Sequence, residues 1–171
     1  YRSAQGLNLT VVVHHMAQID WLIAANLHKT IDIYLKMNTG MNRVGFRPDQ
    51  YIGAYERLRA LPNVGEITLM THFANADLTD GVVTPLTIFN ETTAGLIQST
   101  PELPRSCSNS AAILRHQSAH FDWVRPGIMT YGGTPFADQT AAECNLQAAM
   151  SLESEVIAVQ QIQAGDAVGY G

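Results

Sequence analysis

"IDIYLKMNTGMNRVGFRPDQYIGAYERLRALPNVGEITLMTHF" occupies residues 31–73 and decides the fold class. Its opening run, IDIYLKM, is rich in β-branched and aromatic residues and reads as a strand. Pro48 opens a helix after Arg47, with Tyr51, Tyr55, Leu58 and Leu61 on its buried stripe and Pro62 near its stop. ITLMTHF is a strand again. A strand, a helix and a strand in that order make the two strands parallel neighbours joined by a right-handed crossover.

The same alternation continues on both sides. Upstream, LTVVVHH (Leu9 to His15) is a β-branched run, and Met16, Ile19, Leu22, Ile23 and Leu27 then share one helical face. Downstream, Thr84 and Pro85 form a cap and first turn, with Leu86, Phe89 and Leu96 at helical spacing. SCSNSA is a short strand, Ala111 to about Phe121 reads helical, and WVRPGI is a fifth short strand. A helical stretch near Ala141 to Met150 follows. SEVIAVQQI and DAVGYG then flank a turn at Ala164-Gly165 with no helix between them, which is the pattern of a separate β domain. The alternating part fits a doubly wound sheet or a (β/α)8 barrel.

The 171 residues are 46% apolar and 15% charged, enough apolar material for a substantial core. A net charge of -5 with no basic stripe argues against a nucleic-acid partner. No apolar run approaches the roughly 18 residues of a membrane span. Cys107 and Cys144 are too few for a disulfide framework, so a reducing cytoplasm is the expected compartment. The chain opens at Tyr1 without Met and stops at Gly171 inside a strand-like run, as an internal piece of a longer protein does.

In either parallel architecture, chemistry gathers at the C-terminal ends of the strands. Those ends carry Lys36 to Arg43, Thr71-His72-Phe73, Asn109-Ser110 and Arg125 to Ile128. Cations, amides and hydroxyls dominate, and carboxylates are few. Such a mouth suits an anionic ligand. Ser110 with the backbone N–H groups of Gly127 and Ile128 suits a phosphate, as in barrels that hold phosphates after their last strands. Lys36 poses its own problem, because a buried strand end does not favour an isolated ammonium.

KMNTGMNRVGF, THFANAD, NSAAIL, VRPGIMTYG and GDAVGYG occur in the order and spacing of bacterial alanine racemases, and the chain resembles that family along essentially its whole length. The resemblance implies a pyridoxal-phosphate (β/α)8 barrel followed by a β domain, acting as a homodimer on alanine for cell-wall synthesis. It makes residues 1–148 barrel strands four to eight with their helices, and residues 149–171 the start of the β domain. Lys36 matches the lysine that reacts with carbon dioxide to give a carbamate, and burial favours the neutral amine which that reaction needs. Arg43 matches the arginine that receives the substrate carboxylate on a planar two-donor fork. His72 matches the histidine lying against the cofactor ring. Arg125 matches the arginine bonded to the pyridine nitrogen, and Asn109, Ser110, Gly127 and Ile128 match the remaining cofactor contacts. Tyr170 matches the tyrosine that exchanges a proton with the L-enantiomer from the partner subunit; a phenol needs neighbouring cations for that task.

Several features depart from the pattern. The cofactor-bearing lysine of the family has no counterpart, since Lys29 and Lys36 are the two lysines present. The 171-residue piece is therefore expected to be inactive by itself. His116 and His120 stand four apart but lack the Glu of H-E-x-x-H, and an exposed helix face is the expected reading. His14 and His15 point to opposite faces of a strand. A broad-specificity amino-acid racemase and a non-catalytic pyridoxal-phosphate barrel are the alternatives on the same scaffold. Lys36 with Arg43, and Tyr170 on a second domain, count against the carrier.

Overall fold

A computed structural model describes residues 1–170. Its element order is α1 (Arg2–Gly6), β1 (Val11–Val13), α2 (Met16–Ala24), β2 (Ile31–Lys36), α3 (Pro48–Arg59), β3 (Val64–Met70), α4 (Val83–Ser99), β4 (Arg105–Ser106) and α5 (Ser110–Arg115). Short 3-10 turns follow at Gln117–Ala119 and Ile128–Tyr131. The four strands form one sheet in the order β1-β2-β3-β4, every pair parallel.

That order separates the two architectures. Successive strands are spatial neighbours, and right-handed crossovers then place every connecting helix on the same face. A doubly wound sheet reverses its order and covers both faces; a barrel segment does not. The fold is of the (β/α)8 barrel type. The helix-facing side of the sheet carries Ile33, Leu35, Ile67 and Leu69, packed with Ile19, Leu22, Tyr51, Ala54, Leu58 and Phe89 in one core. Leu35, Leu58 and Leu69 are completely buried, and each contributes about 2 kcal/mol by leaving water. The other face carries Val12, Tyr34, Lys36 and Thr68 in register. Tyr51 Oη crosses from α3 to donate to Leu35 O at 2.8 Å, fixing the helix against the strand end.

The expected elements moved in several places. WVRPGI forms no strand; Trp123 makes a single parallel bridge to Ser106, because Pro126 removes the next ladder donor. Ala141 to Asn145 is a turn and residues 146–150 are irregular, so that stretch is not helical. Asn145 stands at φ 55, outside the helical region. The helix beyond Ala111 ends at Arg115. Helix α4 begins at Val83, one residue before the expected Thr84 cap, and has no side-chain cap at Val82. β1 ends at Val13, and His15 caps α2 by accepting from Ala17 N, so neither histidine lies in the strand whose opposite faces they were expected to occupy. Residues 151–170 contain a turn at Ala164-Gly165 and no strand, with Val156, Ile157 and Val159 exposed. A lone two-stranded hairpin is marginal in water, and these segments have no sheet to pair with among the described residues.

Candidate functional site

The site starts where β2 ends. Lys36 is only 6% exposed, at the last position of the strand and on the face away from the helices. Burial, then the nearby charges of Arg43 and Arg125, lower its pKa below the usual lysine range. The loop beyond it is held by Asn38, whose Oδ1 accepts from Gly40 N at 3.1 Å and Asn42 N at 3.0 Å. The chain then returns to the strand end: Phe46 N donates to Lys36 O, and Asn38 N to Phe46 O, both at 2.8 Å. Gly45 makes that return possible. Its φ is +137°, and a Cβ there would sit 2.6 Å from Asn38 N. Arg43 rides on the exposed side of this loop. Thr39 and Thr71, both buried, link the loop to β3 through a 2.7 Å hydroxyl contact.

Arg125 joins the other strand ends. Its Nη1 donates to Ser106 Oγ at 2.5 Å, and its Nη2 to Thr71 O at 2.7 Å and Cys107 O at 3.3 Å. The same Nη2 lies 3.3 Å from His72 Nδ1. Asn109 Nδ2 lies 3.4 Å from His72 Nε2 and donates to Phe73 O at 3.1 Å. The His72 ring is thus held between a guanidinium and an amide. Burial, followed by Arg125, Lys36 and Arg43, pushes its pKa down to about 4, so it is neutral at neutral pH. Burial also lowers Arg125, but a guanidinium in this range keeps its proton. The ion pairs among the described residues are Arg47–Asp49, Arg57–Asp20 and Arg115–Asp138. None engages Lys36, Arg43 or Arg125, so the charge of this mouth is left for a ligand.

A hollow of about 310 Å³ opens beside these groups, lined among others by His72, Asn109, Ser110, Arg125, Gly127 and Ile128. Its size lies at the lower end of small-ligand pockets, roughly 300–1,000 Å³. Ser110 Oγ accepts from Gly127 N at 2.7 Å, which leaves the hydroxyl proton to donate. Gly127 N–H is therefore engaged by Ser110, whereas Ile128 N–H meets no protein acceptor among the described residues. A hydroxyl and an amide at one end and a guanidinium at the other fit a phosphorylated heteroaromatic such as pyridoxal phosphate. A larger groove of about 700 Å³ runs beside β1, lined by Tyr1, Arg2, Val12 and Trp21 among others, and it gathers no comparable cluster.

The structure thus brings together Lys36, His72, Asn109, Ser110, Arg125, Gly127 and Ile128, with Arg43 close enough to bias Lys36 and His72. Tyr170 is fully exposed and stands apart from them. His116 and His120 are half-buried rather than on an open helix face; their Nε2 atoms meet Ala76 O at 3.0 Å and Ile113 O at 2.9 Å. Among the described residues no group of three His, Cys, Asp or Glu could hold a metal ion. Sequence reasoning missed Ser106, which accepts from Arg125 while donating to Trp123 O at 3.0 Å. A serine or threonine inside a strand carries no signal of a partner distant in sequence.

The family described as alanine racemase, N-terminal domain, matches residues 1–135. An alanine racemase of Erwinia tasmaniensis is 52% identical over 95% of this chain and 45% of its own length. One of Laribacter hongkongensis is 49% identical over 99% of this chain and 46% of its own length. The crystal structure of the biosynthetic alanine racemase from Pseudomonas aeruginosa superposes with a TM-score of 0.78 at 40% identity, covering 99% of this chain and 46% of that one. The chain spans about half the length of the curated relatives it matches.

Proposed function

This chain belongs to the alanine racemase N-terminal domain family, and we propose that the protein containing it interconverts L- and D-alanine with pyridoxal phosphate, supplying D-alanine for peptidoglycan. The observation carrying this reading is a mouth whose cations have no carboxylate partner: Arg125 and the neutral His72 line a hollow edged by Ser110, with Lys36 and Arg43 near enough to act on the His72 ring. Pyridoxal phosphate, when bound, supplies the electron sink that makes a Cα proton of the amino acid removable. Ser110, Ile128 and, once released from Ser110, Gly127 would hold its phosphate, and Asn109 and His72 would lie beside its ring.

Arg125 presents N–H groups and keeps its protons, so a ring nitrogen facing it remains unprotonated. In that role Arg125 would favour return of the proton to Cα over return at another carbon. Arg43 receives the substrate carboxylate through its planar fork. Lys36, neutral more readily than an exposed lysine, reacts with carbon dioxide; the resulting carbamate anion orients Arg43. Tyr170 of the partner subunit exchanges the proton on one face of the substrate, which makes the homodimer the working unit. Residues 1–148 are the barrel portion and 149–171 begin the β domain that carries Tyr170. Its exposed apolar side chains are suited to packing in such a domain. The compartment in this reading is the cytoplasm, where Cys107 and Cys144 stay as free thiols. Separately, no helix among the described residues is long and apolar enough to cross a membrane.

The test uses the full-length protein with pyridoxal phosphate in D2O. L-Alanine should lose optical activity while its Cα hydrogen exchanges with solvent. Absence of both, in protein shown to bind pyridoxal phosphate, overturns the assignment.

A further inference from the structure

Helix α5 does more than present Ser110. At its other end, the Arg115 guanidinium lies 3.9 Å over the Phe136 ring. Its Nη1 donates to Asp77 O, and its Nη2 reaches Asp138 Oδ1 at 3.4 Å. The adjacent His116 donates from Nε2 to Ala76 O at 3.0 Å. Ala76 and Asp77 line the 310 Å³ hollow on one side and Pro135, next to Phe136, lines it as well. Arg115 and His116 themselves do not line it; they stand behind the wall. The Arg115 side chain is 21% exposed, so its stack and fork are partly shielded from water.

We propose that Arg115 is a positioning residue that clamps the 74–77 and 134–138 loops together and so sets the width of the hollow that takes the cofactor phosphate. One side chain ties both loops to the helix that begins at Ser110. Binding then finds its walls already ordered, and the entropy of ordering two loops is not charged against affinity. A lysine cannot substitute, because it lacks the planar fork and the flat face that stacks on Phe136. The inference rests on the reading above that this hollow binds pyridoxal phosphate.

The experiment is equilibrium dialysis of the cofactor-free full-length protein against pyridoxal phosphate, with kcat measured at saturating cofactor. Arg115→Ala and Arg115→Lys should each weaken binding roughly tenfold and Phe136→Leu about threefold. Arg57→Ala, which breaks a remote exposed ion pair, should leave binding at the wild-type value. In every variant kcat should stay within about twofold, since none touches the reacting atoms. Wild-type affinity in Arg115→Ala overturns the clamp, as does a fall in kcat that matches the loss of binding. Should Arg115→Ala fail to fold, Arg115→Lys and Phe136→Leu decide by the same criteria. Failure of the wild type to bind pyridoxal phosphate at all overturns the functional reading and the clamp with it.

Discussion

The two ends of the same strands are built for opposite purposes. At the N-terminal end, β2 carries Asp32 at its second position and β3 carries Glu66. The pairing shifts register between Ile31 and Ile33, and Asp32 Oδ1 fills the gap by accepting Glu66 N–H at 2.8 Å. A Cβ on Gly65 would sit 2.3 Å from that carboxylate oxygen, so a larger residue there would push the Asp32 side chain off this contact. Here an acidic side chain is spent on the backbone. At the C-terminal end Lys36, Arg43 and Arg125 have no carboxylate partner among the described ion pairs. Tyr34, between the two ends, feels both: burial raises its pKa, Arg125 opposes that and Glu66 adds to it. The lesson is that a satisfied charge marks structure and an unsatisfied one marks a place for a ligand.

The contrast can be broken most severely at Arg125. Arg125→Ala strands Ser106, Thr71 O and Cys107 O without their donor. Full-length protein carrying it should lose at least about a thousandfold in kcat/KM and about 3 kcal/mol in urea unfolding. Retained activity would mean that the guanidinium is structural only. Next in size is Lys36. Protein labelled with 13C-bicarbonate should show one carbamate carbon signal by NMR, absent in Lys36→Arg, with kcat/KM reduced about tenfold or more by that substitution. An identical spectrum in the variant would put the carbamate elsewhere or nowhere.

His72 sharpens the comparison through pH. Its folded pKa, about 4, lies below the ordinary 6.5, so the unfolded chain binds the extra proton first. Stability from this group is present above pH 6.5 and is lost as the pH falls toward 4. The urea midpoint of the wild type should decline across that window more steeply than that of His72→Gln. Parallel curves would contradict the depressed value. The smallest effect belongs to the other end: Asp32→Asn should cost about 1 kcal/mol or less, since an amide oxygen still accepts the Glu66 N–H, and should leave kcat/KM unchanged.

Strand ends were legible because β-branched and aromatic runs stop ahead of punctuation such as Gly40, and charged or amide residues there stand out; Pro126 misled, since the run before it forms no strand. The helix after Pro48 was legible for the same reason, with Pro at its first position and Tyr51, Ala54, Tyr55 and Leu58 buried at helical spacing. Features depending on distant partners were not. His15 reads as strand until its ring is seen capping α2. Residues 141–150 have helical propensity, yet the left-handed Asn145 and the approach of Ala148 to Gly132 turn the chain away. The sheet order that separates a barrel from a doubly wound sheet is a property of pairing and has no signature in any one segment.

The most direct test is a crystal structure of the full-length protein with pyridoxal phosphate. The phosphate should lie within hydrogen-bond reach of Ser110 Oγ and the Ile128 amide, with the ring nitrogen on Arg125 and the ring against His72. Cofactor seated instead in the groove beside Tyr1 and Trp21, with the Ser110 hollow filled by protein, would contradict the account.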